Sequence, residues 1–477
     1  MIRLAQREFS NKDQERFAAV SGDRNPIHVD PLESRRTQAG APVVHGIHLL
    51  LYALDSLAEA QPYLAPLRSL RAQFSRFVYL DESVCVDVAE QSATRARLFI
   101  SVDGARRTKI TLDFGDAVDD CDGLSATPLE TVPFSLTPLN LDMESMQGYS
   151  GRLPFAMTPE DATTLFPAAA KWLGTRRIAA LAASTYLVGM VCPGLYSIYN
   201  ELSVHSCVES SPRGSLAFRV IETDPRYSLV EQEILGGGFA GKVKSFVRSR
   251  PVQQATMASL AGLVGPTDFA GSVALIVGGS RGLGELAAKM IATGGGQVIV
   301  TWNTGKTDAE RVAHEIQSAG GKCEVFSYDA GKPAAEQLAS LTCEPTHAYY
   351  FATPTIFRPQ AEIFVAERFK ELLSFYVDGF WELTQTLRAR RPNLSVFYPS
   401  TVFVSERSKG MTEYAMAKSA GEVLCADMNR SQAPLHVTIC RLPRLPTDQT
   451  ASIKATETAR PVETMLPVIR EVQSWPK

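Results

Sequence analysis

The sequence predicts a multidomain protein in which an α+β region precedes an α/β domain built on a parallel sheet. In each of two successive N-terminal blocks, an apolar helix is followed by a series of strand-like runs, an order that favours an antiparallel sheet wrapped around a helix. The C-terminal block alternates apolar runs with helical segments, as βαβ units do. Residues 253–272 lie between them and are rich in Ala, Gly, Ser and Thr, which is typical of a linker.

The chain length agrees with this division, because 477 residues correspond to two to four domains at roughly 100–200 residues each. We expect a first α+β domain at 1–130 and a second at 131–255, followed by a linker at 256–270 and the α/β domain at 271–477. The second domain loosely repeats the order of the first, which predicts an internal structural repeat.

The elements follow from local patterns. In the first block, Ser10 is the expected N-cap of a helix over 11–20 and Gly22 its C-terminal stop. A polar loop then leads to an apolar helix over 46–58, and the strand-like runs that follow are 69–78, 83–89, 96–102 and 109–114.

The later blocks are predicted in the same way. The second block has a helix over 178–189, and its strand-like runs are 199–204, 215–222, 229–235 and 241–247. The third block opens with one βαβ unit, whose parts are the strand 272–277, the helix 285–293 and the strand 297–301.

Composition and charge exclude several functions. The net charge of −3 gives no basic surface of the kind that binds nucleic acid. The eight cysteines form no CxxC pair and no Cys/His zinc spacing, so we expect reduced thiols, no metal and a cytoplasmic protein. No run of roughly 18 apolar residues predicts a membrane span, and the charged N-terminus lacks the apolar segment of a secretion signal.

The third block carries a glycine-rich loop, GGSRGLG, between its first strand and its first helix. Gly278, Gly282 and Gly284 allow a tight turn and let the backbone approach a pyrophosphate, whose charge then faces the helix N-terminus. The loop therefore indicates a dinucleotide site.

The residues after the second strand indicate which dinucleotide binds. An NAD site usually carries Asp or Glu there to hold the ribose hydroxyls, but this chain has Trp302 and Asn303. Lys306 is nearby and Arg281 lies in the glycine loop. Two cations and no carboxylate favour the extra phosphate of NADP(H), with NAD(H) as the alternative.

A second motif lies further along the third block. Tyr414 and Lys418 are four positions apart, so both project from one helical face. We expect the ammonium to lower the pKa of the phenol, so that Tyr414 exchanges a proton with a substrate alcohol or ketone near neutral pH. Ser400 can hydrogen-bond the same oxygen. Ser400 lies 14 positions before Tyr414, one more than expected. Thr401, which lies 13 positions before Tyr414, is therefore a rival of Ser400 for this role.

The glycine loop and the Tyr-xxx-Lys pair together resemble the short-chain dehydrogenase/reductase family over about 205 residues. The resemblance implies a Rossmann fold and an NADP(H)-dependent ketoreductase, with Ser400, Tyr414 and Lys418 as catalytic residues. It also implies a cofactor-binding set, which comprises Gly278, Ser280, Arg281, Gly282, Leu283, Gly284, Asn303, Lys306, Asp329 and Lys418.

Three positions depart from that family. Phe-Ala-Thr-Pro at 351–354 replaces the family's Asn-Asn-Ala-Gly, and Tyr376 aligns with the helix Asn that often completes a proton relay. The usual Pro-Gly after the sixth strand reads RLPRLPTDQT. The first and third departures alter the cofactor pocket, and the second alters proton delivery. The intact Tyr–Lys pair still predicts activity.

The first block carries a motif of its own, SGDRNPIHVD at 21–30. It closely resembles the hydratase motif of MaoC-like, (R)-specific enoyl-thioester hydratases, which have a hotdog fold. The resemblance implies that Asp23 and His28 hold one water between them for proton exchange. It also implies that the backbone N–H of Gly46, at the start of the next helix, stabilises the thioester oxygen. Asn25 and Pro26 would fix the loop.

Other polar residues of this region receive secondary roles. His45 is expected to support the loop, and His48, inside an apolar helix, is expected to be structural. Asp30 either orients its neighbours or is a solvated carboxylate.

The second block resembles the helix-and-return part of another hotdog unit in STYLVGMVCPGLYSIYNELSV, but it lacks the hydratase motif. We expect a degenerate half that completes an acyl-chain tunnel, as in double-hotdog hydratases. His205 stands alone. For Cys192, without a His partner, a core position is favoured over a nucleophile.

Together the two resemblances imply a bifunctional 3-ketoacyl-thioester reductase and 3-hydroxyacyl-thioester dehydratase of fatty-acid or polyketide biosynthesis. The thioester would be carried by CoA or by a separate acyl carrier protein, and a homodimer is expected. One alternative is a hydratase with an NAD-dependent 3-hydroxyacyl dehydrogenase in β-oxidation, and a second is a non-catalytic scaffold or binding module of a synthase complex. A third is a reductase of another carbonyl whose hotdog region only binds the thioester.

Overall fold

The computed structural model describes residues 2–117, 124, 128–208, 214–356, 363–450 and 457–475. The chain forms two compact units, one ending at Arg250 and one beginning at Pro251. No helix in the described ranges combines the length and the hydropathy needed to cross a membrane.

Within its described residues, the first unit is built on one antiparallel sheet of ten strands. They are β1 Ile2–Arg7, β2 Leu67–Phe74, β3 Val84–Gln91, β4 Arg95–Val102, β5 Ala105–Phe114, β6 Ser150–Pro154, β7 Ser197–Ser206, β8 Ser215–Asp224, β9 Leu229–Gly236 and β10 Phe239–Val247. Their order across the sheet is β1-β3-β4-β5-β2-β7-β10-β9-β8-β6. Read from each edge inward, both halves have the same order, so the sheet contains the predicted internal repeat.

The two halves meet where β2 pairs with β7, with Ser69 opposite His205 and Gln73 opposite Glu201. Each half wraps around one buried helix, Gly46–Ala60 in the first and Thr175–Tyr186 in the second. The side chains of both helices belong to one hydrophobic core. The unit is therefore an α+β hotdog region, as predicted.

The other helices of this unit are short. In the first half they are Asn11–Ser21, Pro26–Val29 and Pro31–Ser34, and in the second Met143–Met146, Pro159–Leu165 and Pro167–Leu173. The predicted caps of the first helix are confirmed, because Ser10 forms a capping box and Gly22 ends the helix in the left-handed region. A π-helix over Leu187–Val191 extends the second central helix.

The second unit has a parallel sheet of six strands in the order β13-β12-β11-β14-β15-β16. They are β11 Val273–Val277, β12 Gln297–Trp302, β13 Lys322–Ser327, β14 His347–Tyr350, β15 Ser395–Thr401 and β16 His436–Leu442. The order reverses between β11 and β14, which opens a crevice at the carboxyl ends of these strands. The predicted Rossmann-type fold is confirmed.

Helices connect these strands. The described ones are Met257–Leu260, Gly282–Thr293, Lys306–Ser318, Ala334–Leu338, Ala366–Leu373, Phe380–Arg390, Phe403–Glu406, Thr412–Ser431 and Pro461–Gln473, with a π-helix at Ser374–Gly379 and a 3-10 turn at Asp448–Thr450.

Two expectations are corrected by the structure. The segment predicted as a linker, 256–270, packs in the core of the second unit through Met257, Leu260 and Phe269, because its apolar residues are buried. The prediction of reduced thiols is wrong for Cys207, which is disulfide-bonded. A disulfide joins cysteines that meet in space, so the absence of a CxxC pair does not exclude one.

Candidate active sites

The hydratase motif lies on a buried loop between two helices. Gly22 ends the first helix with φ 81°, a value that favours glycine, and turns the chain toward Asp23. Asn25 then caps the next short helix, with its side-chain oxygen accepting from the backbone N–H of Ile27 at 3.2 Å. Its amide nitrogen donates to the carbonyl oxygens of Gly189 at 2.8 Å and Gly194 at 3.1 Å. Asn25 thus ties the loop to the second half.

Asp23 is almost completely buried, with 1% of its surface exposed. Its Oδ1 accepts from the backbone N–H of Asn25 at 3.1 Å, and its Oδ2 accepts from the Thr185 hydroxyl at 2.7 Å. Burial raises the pKa of the Asp23 carboxyl, while the charge of His28 and these two donors act in the opposite direction.

His28 lies close to Asp23. Its Nδ1 lies 2.7 Å from the carbonyl oxygen of Val43, which can only accept, so Nδ1 carries the hydrogen and Nε2 has a free lone pair. Burial lowers the pKa of His28, with Asp23 opposing. The neutral imidazole is therefore the form present near pH 7.

His45 lies beneath the loop. Its ring stacks on His28 with centroids 3.8 Å apart. Its Nδ1 is 2.9 Å from Gln14 Oε1, and its Nε2 is 3.0 Å from the backbone oxygen of Asp23. Ligand atoms of Asp23, His28 and His45 lie within 4.8 Å of one another, but both nitrogens of His45 are engaged. We therefore assign no metal to this cluster.

His48 and Asp30, two further polar residues of the first half, make structural contacts. His48 is buried, stacks on Phe17 at 4.4 Å and lies 3.3 Å from the amide nitrogen of Gln14. Asp30 caps the helix Pro31–Ser34 by accepting from two backbone N–H groups.

A pocket connects these groups. Asp23, His28 and Gly46 line it together with residues from the second half, which are Thr185, Val188, Gly189, Ser197, Ile198 and Tyr199. Gly46 begins the central helix of the first half, so its N–H belongs to the first turn, whose donors have no partner within the helix. A Cβ on Gly46 would lie 3.0 Å from the Phe74 ring, which covers this point.

Sequence reasoning did not identify Thr185 and Gly189. They lie in a segment whose only visible pattern is an apolar helix, 162 positions from Asp23 in the case of Thr185. The Tyr-Leu-Val-Gly sequence gives no signal for them. Cys192 is buried, and burial raises its pKa to about 12, in agreement with a core position.

In the second unit, Tyr414 and Lys418 lie on the helix Thr412–Ser431. The Tyr414 hydroxyl is hydrogen-bonded to the side chain of Thr401, and burial raises the pKa of Tyr414. The expected lowering of the phenol pKa by Lys418 is therefore not found. Burial also lowers the pKa of Lys418, to about 7.

The structure places Thr401, and not Ser400, beside Tyr414. The hydroxyl of Ser400 donates to Glu422 at 2.5 Å, and Arg441 holds that carboxylate through two further bonds. Glu422 lies on the same helix as Tyr414, eight positions further along, so a shift of one position along β15 decides which hydroxyl reaches the phenol. The contacts therefore favour the rival Thr401 over Ser400.

Tyr376 lies beside Tyr414 and Lys418, in the π-helix Ser374–Gly379. The Nζ of Lys418 is 3.8 Å from the centre of the Tyr376 ring and donates to the carbonyl oxygen of Pro399 at 2.6 Å. The Tyr376 hydroxyl is hydrogen-bonded to Thr353. An aromatic face thus occupies the position where the family's relay Asn is expected.

The glycine loop has the close packing that a phosphate site needs. Gly278 has φ 76°, and a Cβ there would lie 2.9 Å from the carbonyl carbon of Phe351. A Cβ on Gly284 would overlap the carbonyl oxygen of Gly278. Only glycine fits at both positions, and the helix that begins at Gly282 directs its free N–H groups toward the loop. The loop fits a pyrophosphate.

Both cations expected at the ribose end already lie beside a carboxylate. Arg281 Nη1 lies 3.3 Å from Asp448 Oδ2. Lys306 is exposed and 3.5 Å from Glu310. The other predicted positions are Ser280, which is buried, Leu283, which is partly buried, Asn303, which is exposed, and Asp329, whose Oδ1 accepts from the N–H of Gly331.

Comparisons with known proteins agree with both units. Residues 3–111 match the model of the MaoC like domain, and residues 272–440 match the model of the KR domain. The chain therefore carries a MaoC-like domain at its N-terminus and a KR-type short-chain dehydrogenase domain in its C-terminal region.

Similar proteins include a peroxisomal hydratase-dehydrogenase-epimerase from Saccharomyces cerevisiae, with 29% identity over 104 residues, covering 22% of this chain and 11% of that protein. A fatty acid synthase beta subunit from Emericella nidulans is 66% identical over 35 residues, covering 7% and 2%. A short-chain dehydrogenase/reductase from Cladobotryum sp. is 40% identical over 60 residues, covering 13% and 23%. The chain thus spans less than a quarter of the length of each of these relatives.

Among solved structures, a short-chain dehydrogenase/reductase from Serratia marcescens matches with 22% identity and a TM-score of 0.39, covering 43% of this chain and 91% of that one. A 3-oxoacyl (acyl-carrier-protein) reductase from Agrobacterium tumefaciens with NADP bound matches with 18% identity and a TM-score of 0.39, covering 44% and 89%.

Proposed function

We propose that this chain is a bifunctional enzyme that reduces 3-ketoacyl thioesters with NADP(H) and dehydrates the resulting 3-hydroxyacyl thioesters. The observation that carries the proposal is the buried Asp23 beside the half-buried, neutral His28 in a pocket that Gly46 also lines. The two reactions are consecutive, because the alcohol made by the first is the substrate of the second.

The residues of the first unit can add water to an enoyl thioester or remove it from a 3-hydroxyacyl thioester. In the hydration direction, a water held between Asp23 and His28 loses a proton to one of them as its oxygen bonds to C3 of the enoyl thioester. C2 takes up a proton, so that the elements of one water are added, and dehydration is the reverse. The N–H of Gly46 donates to the thioester oxygen, where negative charge develops.

In the second unit, the hydroxyls of Tyr414 and Thr401 bind the ketone oxygen, and Tyr414 gives it a proton as the alcohol forms. NADP(H), when bound, supplies the hydride. The glycine loop would hold its pyrophosphate, and Arg281, released from Asp448, would hold its 2′-phosphate. The absence of a carboxylate at Trp302 and Asn303 supports NADP(H) over NAD(H).

The carrier of the thioester is CoA or a separate acyl carrier protein, and the proposed assembly is a homodimer in the cytoplasm. A second candidate function is the oxidative pair, enoyl hydration followed by NAD-dependent oxidation. The similarity to a peroxisomal hydratase-dehydrogenase-epimerase favours this candidate.

Incubation with 3-ketoacyl thioesters of increasing chain length and NADPH tests the proposal. Formation of trans-2-enoyl thioester supports both steps, whereas hydroxyacyl product alone would leave the first unit as a binding module. No product would contradict the proposal and favour a scaffold. The oxidative candidate would be supported if enoyl thioesters were converted to 3-ketoacyl thioesters with NAD⁺ faster than 3-ketoacyl thioesters are converted to enoyl thioesters with NADPH.

A further inference from the structure

We infer that Thr185, from the half of the sheet that lacks the hydratase motif, is a positioning residue for the Asp23 carboxylate. The inference rests on the proposed dehydratase function and assigns to the second half a part in the chemistry beyond lining a tunnel. The evidence is a set of contacts between the second half and the segment Asp23–Asn25. They involve the side chain of Thr185, the α-carbon of Gly189 and the carbonyl groups of Gly189 and Gly194.

The first contact is the hydrogen bond between Thr185 and Asp23. Thr185 is 3% exposed, and its hydroxyl donates to Oδ2 at 2.7 Å. The backbone N–H of Asn25 holds Oδ1 at 3.1 Å. With one donor on each oxygen, the plane of the carboxylate is fixed, and the donors come from opposite halves of the sheet.

The second contact is with the π-helix Leu187–Val191. A Cβ on Gly189 would overlap the Asp23 carboxylate, so the carboxylate lies directly against the α-carbon of that glycine. The carbonyl oxygen of Gly189 accepts from the side chain of Asn25 at 2.8 Å. Because the π-helix follows the turn that carries Thr185, one segment both hydrogen-bonds Asp23 and limits where it can move.

The charges around Asp23 explain why a neutral donor matters. The titratable groups that face it are His28 and His45 from its own half and Tyr186 from the second half. His28 must stay neutral to act as a base, so no permanent cation in this set stabilises the buried carboxylate. The Thr185 hydroxyl therefore favours ionised Asp23 without adding a positive charge that would repel the proton His28 has to accept and make His28 a weaker base.

The test compares Thr185→Val with Thr185→Ser and with a matched control, Thr163→Val. The Thr163 hydroxyl is exposed and contacts only carbonyl groups of its own helix. We expect Thr185→Val to lower kcat for enoyl-CoA hydration roughly 10- to 100-fold, as for loss of a hydrogen bond to a charged group. KM should change little, the acidic limb of the pH profile should move to higher pH, and the Ser variant should recover most of the activity.

A second measurement, the stability of the protein as a function of pH, does not require catalytic turnover. Burial raises the pKa of Asp23, so stability falls as pH rises through the range where the carboxyl ionises in the folded protein. Thr185→Val should therefore destabilise the protein more above that range than below it, whereas the cost of Thr163→Val should not vary with pH. Equal pH dependence in the two variants, together with an unmoved acidic limb, would overturn the inference. Absence of hydration by the parent would contradict only the proposed function, because the stability difference still reports on the contact.

Discussion

At the scale of single residues, the Asp23 and His28 pair combines a carboxyl that burial makes harder to ionise with an imidazole that burial keeps neutral. The two shifts bring the proton affinities of an acid and a base closer together, which is the condition for moving a proton in either direction near neutral pH. His45 contributes by supporting both, through its stacking on His28 and its contact with the Asp23 backbone.

We predict that Asp23→Asn and His28→Gln each lower enoyl-thioester hydration by about 10²- to 10⁴-fold, the usual contribution of a positioned acid or base. Both substitutions preserve size, so the loop should stay folded. Ketoreduction by the same variants, followed as NADPH consumption, is the internal control and should stay near the parent rate. Normal dehydration by either variant would refute the assignment.

The choice between two neighbouring hydroxyls gives a second prediction. Thr401 is hydrogen-bonded to Tyr414, whereas Ser400 is held by Glu422. Thr401→Val should therefore lower reductase kcat at least about 10-fold more than Ser400→Ala, because only the first removes a donor to the ketone oxygen. Single-turnover reduction rates measure the difference, and a larger loss in the Ser400 variant would restore the original assignment.

These residues also show which parts of the candidate sites can be predicted from the sequence. Asp23 and His28 lie only five positions apart, so local sequence is enough to predict that they come close together. Spacing alone does not decide between Ser400 and Thr401, because a shift of one position along the strand changes which hydroxyl reaches the phenol. Thr185 reaches Asp23 only through tertiary packing across 162 positions.

At the scale of elements, the eight central strands of the first unit can be predicted from their apolar, strand-like runs. The two edge strands cannot, because β1 (IRLAQR) is rich in polar residues and β6 (SGRLP) is short and contains Gly and Pro. The two π-helices were also not predictable, because one inserted residue changes the hydrogen bonding without changing the composition. Both lie at candidate sites, one carrying Gly189 and the other Tyr376.

The π-helix at the first site gives a third prediction. Gly189→Ala should abolish most hydratase activity, because the added methyl group would occupy the volume of the Asp23 carboxylate. Reductase activity should persist. Gly262→Ala is the control, since a Cβ there meets nothing within 4 Å. Full hydration by Gly189→Ala would show that the loop has another position available.

At the scale of the whole molecule, the chain consists of two compact units with separate cores. A ligand that binds one folded unit stabilises it by mass action, by about 2.7 kcal/mol at 100 times its Kd. We therefore predict that NADPH raises the unfolding temperature of one calorimetric transition and leaves the other unchanged. Arg281→Ala should reduce this shift for NADPH more than for NADH, and equal reductions would contradict its assignment to the 2′-phosphate.

The pairing of β2 with β7 determines how this region could be moved into another protein. A chimera cut after β5 would leave the bonding edge of β2 open and remove the groups that hold Asp23. The smallest transplantable segment that keeps the proposed dehydratase site intact therefore runs through β10, and recombination points belong beyond that strand.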